Sequence, residues 1–221
     1  MLYLSGKIRP DLPAMVTPRM RQSPPAGQHW AADTGRYASP HEYDDDAYLA
    51  WLRKMAPHAD RCLFATAPDV VGDAVVTLDL SLPMFDRIRS AGYRTALVAQ
   101  DGLELLEVPW DGFDALFIGG TTDWKLSPAA EELIAAARSR GKWTHMGRVN
   151  SLRRLRYAGS IGIDSVDGTI LRFDPNTDIH GWVDHVENNP SVWSSTIPSV
   201  DTPSPVKDNG HLISPQHGEA R

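Results

Sequence analysis

The sequence predicts one α/β domain, a compact TIM-like (β/α)8 barrel over residues 1–188, followed by a Pro-rich tail over 189–221 expected to be disordered. Three observations carry that expectation. Short apolar runs alternate with amphipathic helical stretches from residue 29 onward, the pattern of parallel βα units. Each run stops in a polar or glycine-rich turn, where sites gather in such folds. About eight runs can be counted, which suits a small closed barrel; an open doubly wound sheet is the alternative.

The elements follow in order. The first forty residues are proline-rich and read mostly as loop, with short strands near Leu2–Leu4 and Ala14–Thr17. His29–Asp33 reads as a strand ending in a polar turn. Tyr43–Met55 reads as a helix with Asp44, Asp45 and Asp46 in its first turn, where the helix dipole favours acids. Cys62–Thr66 is a short apolar strand stopped by Pro68 and Asp69. Asp73–Ala91 is a helix interrupted or kinked at Pro83. Thr95–Ala99 and Ala115–Ile118 are strands, ending in Gln100-Asp101-Gly102 and Gly119-Gly120. Pro128–Ser139 is a helix with Ser127 as its N-cap. Trp143–Met146 is a strand and Ser151–Tyr157 a short basic helix. Ser160–Ile163 and Thr169–Phe173 are expected as the last strands. Beyond about Asn188 the periodicity stops among Pro190, Pro198, Pro203, Pro205 and Pro215.

Composition narrows the classes. Of 221 residues, 42% are hydrophobic, enough for one full-sized core. No stretch approaches the ~20 apolar residues of a membrane helix, and the N-terminus does not read as a signal peptide. Cys62 is the only cysteine, so internal disulfides and a cysteine-built zinc site are excluded. A cytoplasmic location is the default, the host cytoplasm if the chain is phage-encoded. No metal and no cofactor is expected. The net charge of −6 argues mildly against a general nucleic-acid binder. Between Arg138 and Arg172, however, eight Lys/Arg face only two Asp, a local excess that can hold a phosphate backbone or simply form a solvated helix surface.

The strand ends carry the candidate chemistry. Asp33, Asp69, Gln100, Asp101, Gly119, Gly120, His145, Met146, Arg148, Asp164 and Asp167 all follow apolar runs, and parallel strands bring such groups to one face. Carboxylates and amides read the N–H and carbonyl edge of a base, bare glycine backbone approaches closely, and methionine covers a flat ring. Two separated carboxylates suit glycosidic chemistry, one attacking the anomeric carbon and one moving protons. Each residue also has a plainer reading: a helix cap for Asp69 or Asp101, a tight turn for the glycines, core for Met146.

In this order the residues resemble the tRNA-guanine transglycosylase superfamily, closest to the phage and bacterial branch that inserts 7-deazaguanines into DNA. Ala32-Asp33-Thr34-Gly35-Arg36-Tyr37 is similar to the family's Thr-Asp-Ser-Gly-Gly-Tyr segment. Phe64-Ala-Thr-Ala-Pro-Asp69 resembles the strand that delivers a base-reading Asp, and Val98-Ala-Gln100-Asp-Gly102 the segment with a base-reading Gln. Phe117-Ile-Gly119-Gly120 resembles the Gly-Gly strand end, and His145-Met146-Gly147 the Tyr-Leu-Met-Gly turn. Gly162-Ile-Asp164-Ser-Val-Asp167 resembles Gly-Ile-Asp-Met-Phe-Asp, whose second Asp is the nucleophile.

The resemblance implies a pentosyltransferase that exchanges guanine in DNA for a 7-deazaguanine, such as 7-cyano-7-deazaguanine, through a covalent aspartyl-glycosyl intermediate. Asp167 would be the nucleophile, with Asp164 the alternative if the register slips by three. Asp33 would handle the proton. Asp69, Gln100, Gly119, Gly120, Met146 and Arg36 would bind the base, and Arg148, Arg153, Arg154 and Arg156 the nucleic acid. The departures shape the expectation. The family's C-terminal zinc site has no cysteines here, which favours DNA over tRNA, and Arg36 stands where the family has Gly. Gly168-Thr-Ile-Leu-Arg172 replaces the family's Leu-Pro-Thr-Arg stretch. Two other readings stay open: a non-catalytic nucleic-acid-binding relative, and a small-molecule barrel enzyme.

Overall fold

A computed structural model describes residues 1–189. The tail expected to be disordered therefore lies, from residue 190 onward, outside the described residues. Eight strands run in chain order around a closed barrel: β1 (Leu2–Ser5), β2 (Ala14–Val16), β3 (Trp30–Ala32), β4 (Cys62–Thr66), β5 (Thr95–Ala99), β6 (Ala115–Ile118), β7 (Trp143–Met146) and β8 (Ser165–Gly168). Every neighbouring pair is parallel, and β8 closes on β1 with Leu4 beside Asp167. The barrel expected from the sequence is the fold observed.

The helices are α1 (Asp45–Lys54), α2 (Ala74–Ser90), α3 (Thr122–Lys125), α4 (Pro128–Ser139), α5 (Leu152–Ser160), α6 (Ile170–Phe173) and α7 (Ile179–Asn188). Their starts are set by side-chain caps: Asp44, Asp73, Ser127 and Ser151 each accept from a backbone amide three residues on, a contact worth ~1 kcal/mol. The α2 helix runs unbroken through Pro83. Pro83 faces solvent and so does Asp79, so the carbonyl deprived of its donor can bond water instead. The β1–β2, β2–β3 and β5–β6 connections carry no α-helix, only loop and 3-10 turns. That is how a full barrel fits in so short a chain.

Two packed layers follow from the strand period of two. Outward residues such as Val16, Trp30, Leu97, Ile118, Met146 and Val166 pack under the helices. Trp30 anchors this layer: it is fully buried, donates its indole N–H to the His58 carbonyl at 2.8 Å, and meets Trp51 and Tyr93 edge-on. Inward residues, among them Leu4, Met15, Ala31, Phe64, Val98 and Phe117, fill the barrel.

The last strand differs from the expectation. Residues 160–163 form the end of α5 and a turn with Gly162 at φ 78°, and residues 170–173 are helical. The strand lies between them, at Ser165–Gly168. Its inward positions, Ser165 and Asp167, are polar, so it lacks the apolar run that marks a strand. Among the described residues no helix is long and apolar enough to cross a membrane.

Candidate active site

Continuing each strand's inward face by one step builds a cavity at the C-terminal mouth. The residues delivered this way are Gly6 after β1, Thr17 after β2, Asp33 after β3, Gln100 after β5, Gly119 after β6, Gly147 after β7, and Asp167 within β8. All of them line a cavity of about 380 Å³, with Asp69 from the β4–α2 loop beside them and Met15, Val98 and Phe117 as its floor. Its volume falls in the range of small-ligand sites. Asp33 and Asp167, far apart in sequence, therefore share one cavity.

The carboxyls are not equivalent. Burial pushes Asp33 up to about 7, and the negative charges of Asp69 and Asp167 add to that; the Gly35 amide, donating to Asp33 Oδ1 at 2.6 Å, pulls the other way. Burial also raises Asp69, to about 6, against the pull of the Arg36 and Arg148 guanidiniums and of Gln100. Gln100 bridges the β4 and β5 ends. Its Nε2 donates to Asp69 Oδ2 at 2.7 Å and its Oε1 accepts from the Gly72 amide at 3.0 Å. One amide proton of Gln100 stays available to a ligand.

Asp167 is held from two sides. His145 Nε2 lies 3.1 Å from Oδ2, and the Arg148 amide donates to Oδ1 at 3.3 Å. Arg148 is the one non-glycine residue with positive φ among the described residues, at 60°. Its guanidinium donates to the carbonyls of both Gly119 and Gly120. The β7–α5 turn thus ties the ends of β6, β7 and β8 together.

Several expected residues sit elsewhere. Met146 faces outward, 1% exposed, into the layer beneath the helices, because it is one residue out of step with the inward His145 and Gly147. It cannot cover a base in the cavity. Gly119 lines the cavity, but Gly120 does not; a Cβ there would strike Trp124. The amides of both glycines donate to the Ala99 carbonyl, at 3.0 and 3.2 Å, so neither is free to read a ligand. Arg36 does not line the cavity; it donates to the Asp69 carbonyl at the rim. Asp101 ties down the next loop by accepting from the Thr121 amide and hydroxyl. Asp164 lies at the opposite end of the barrel, accepting from the Thr144 amide and hydroxyl at 2.7 and 2.8 Å. The three-residue slip that would put Asp164 in the cavity does not occur.

The four arginines are also divided. Arg148 lines the cavity, whereas Arg153 and Arg154 do not; they lie in the first turn of α5, where Arg154 donates to the Arg148 carbonyl. Arg156, further down that helix, turns away and bonds His185 beside a second cavity of about 250 Å³ at the barrel's other end. Arg19 and Arg172 join Arg148 at the mouth instead.

Lys125 escaped sequence reasoning, and His145 was read there only as one strand-end candidate among many. Lys125, 1% exposed, donates Nζ to the Gly147 carbonyl at 2.7 Å, and burial, aided by the charge of Arg148, lowers it to about 7. Its place just after the Gly119-Gly120 strand end was the available signal. His145, fully buried between the rings of Phe64 and Phe117, touches Asp167 from inside the barrel. Its inward parity with Gly147 was readable once β7 was set.

Fold and site together define a parallel eight-stranded βα barrel with a carboxyl-lined cavity at the C-terminal mouth. No protein-family model matches the chain, and no curated protein matches it in sequence. Several solved structures show remote similarity, among them the three that follow. Tryptophan synthase from M. tuberculosis, in its aminoacrylate- and BRD0059-bound form, aligns at TM-score 0.42 and 13% identity, over 73% of this chain and 59% of that one. Klebsiella pneumoniae BlrP1, in a calcium/cy-diGMP complex, aligns at 0.39 and 15%, over 64% and 38%. The Amycolatopsis orientalis BexX/CysO complex aligns at 0.34 and 12%, over 90% and 94%. The chain thus spans little more than half of the first of these. None is close enough to bear on chemistry.

Proposed function

We propose that this barrel is a pentosyltransferase that exchanges guanine in DNA for a 7-deazaguanine base. One observation carries the reading: Asp33 and Asp167 line the same cavity, in environments that set them apart. Two carboxyls facing one cavity, one of them with its proton affinity raised by burial, suit glycosidic chemistry. Asp167, held between His145 Nε2 and the Arg148 amide, attacks C1′ of a deoxyguanosine from the opposite side to the base. The C1′–N9 bond breaks, and the protonated form of Asp33, which burial keeps populated toward neutral pH, gives its proton to the departing guanine. The incoming 7-deazaguanine returns a proton to Asp33 and displaces Asp167 from C1′. An acid held near 7 serves both directions.

Asp69 and the remaining Gln100 proton would read the base edge. Arg19, Arg148 and Arg172 at the mouth suit the flanking phosphates. A base stacked in duplex DNA must first swing out, at a cost of a few kcal/mol. The deciding experiment follows labelled guanine. Wild-type protein is expected to exchange it into DNA, and Asp167→Ala to lose exchange while still binding guanine by calorimetry. Undiminished exchange by Asp167→Ala rejects the reading.

A further inference from the structure

Asp167 rests on a chain of hydrogen bonds that runs down the barrel interior. His145 Nε2 meets Asp167 Oδ2 at 3.1 Å, and its other ring nitrogen, Nδ1, lies 2.8 Å from Ser165 Oγ. Ser165 Oγ also accepts the Trp143 indole N–H at 2.8 Å. Ser165 and His145 are fully buried, with no solvent to offer another partner.

The donors and acceptors of this chain fix its direction. The indole can only donate, so the Ser165 oxygen spends a lone pair on Trp143. Its hydroxyl proton is then free to go to Nδ1. The ring proton is left on Nε2, facing an acceptor-only carboxylate. The opposite tautomer would turn a bare nitrogen lone pair toward the carboxylate. Phe64 and Phe117, with ring centroids 5.2 and 4.4 Å from the imidazole, hold the ring edge-on and prevent it from turning.

We propose that His145 is a positioning residue for Asp167, with its tautomer set by the Trp143–Ser165 chain. The Nε2–H bond fixes one carboxylate oxygen from below, and the Arg148 amide fixes the other from the side. The carboxylate is thereby pinned to a single rotamer. The function assigned to Asp167 rests on the transglycosylase reading; the chain itself does not.

The test has two arms. The first is nitrogen NMR of the imidazoles, with His145 assigned through its variants. Wild-type protein is expected to show His145 as the Nε2–H tautomer, and Ser165→Ala to shift or mix it. A wild-type His145 carrying its proton on Nδ1 alone overturns the proposal whatever the enzyme does. The second arm is kinetic. His145→Gln keeps an N–H near the position of Nε2, and His145→Leu removes it. His145→Leu is expected to lower kcat for guanine exchange about 100-fold with KM for the base within about threefold, and His145→Gln to recover most of the loss. Equal activity of the two variants, both folded, overturns the positioning role. Should His145→Leu fail to fold, Ser165→Ala replaces it in this arm, with a smaller fall in kcat expected and an unchanged kcat counting against the proposal. Absence of exchange in the wild-type protein rejects the transglycosylase reading and leaves the tautomer measurement to decide the chain.

Discussion

Asp33→Asn isolates the energetic cost of the acid that the proposed chemistry requires. In the folded protein burial holds the Asp33 carboxyl near 7, against an ordinary value of 3.8. Between those two values the unfolded chain binds fewer protons than the folded one, so stability is lost as pH rises from about 4 to about 7. At about 1.4 kcal/mol per pH unit, a rise from 3.8 to about 7 amounts to roughly 4 kcal/mol. The cavity leaves part of the carboxyl open to water, so roughly 2 kcal/mol is the working figure. Asparagine keeps the oxygen that accepts the Gly35 amide and never ionises. Asp33→Asn should therefore match wild type near pH 4 and exceed it by roughly 2 kcal/mol at pH 8. For a domain of this size that is about 4–8 °C in Tm. Urea unfolding across a pH series measures the difference directly. A difference that stays constant from pH 4 to 8 would refute the claim that burial raises the proton affinity of Asp33.

Two further substitutions probe the site and its far end. In Gly119→Ala a Cβ would come within 2.6 Å of Val98 Cγ1 and 2.8 Å of Gln100 Nε2. It should cost about 1–3 kcal/mol in urea unfolding, and should weaken guanine binding by calorimetry because Gln100 is pushed off Asp69. Unaltered stability and affinity would show that the β5–β6 mouth is looser than described. Asp164→Ala removes the acceptor for the Thr144 amide and hydroxyl. It should destabilise by about 1–3 kcal/mol yet leave the exchange rate of the folded protein unchanged. Loss of exchange in a soundly folded Asp164→Ala would return the nucleophile question to that residue.

The barrel was legible because its outward strand residues are apolar and evenly punctuated. Thr95–Ala99 and Ala115–Ile118 begin and end where the pattern says. The last strand was hidden for the opposite reason. A strand whose inward residues are Ser165 and Asp167 presents chemistry where a core residue would stand, and the apolar residues just before it belong to a helix end. Met146 shows the limit of reading strand ends by composition. Position along the chain placed it correctly, but parity sent it to the other face of the sheet, and a single residue decides parity. Arg156 failed likewise by helical phase, lying on the side of α5 that meets α7 rather than the side that meets the mouth. Lys125 could not have been found by any hydropathy pattern, since a fully buried lysine violates the pattern; its ammonium is satisfied by the Gly147 carbonyl.

The central claim is tested most directly by mass spectrometry of nucleosides. DNA is incubated with the protein and 7-cyano-7-deazaguanine, digested, and analysed beside an Asp167→Asn control. Wild-type protein is expected to yield the deoxynucleoside of the deazaguanine, and the variant none. Its absence with both proteins, or its equal appearance with both, would contradict the account.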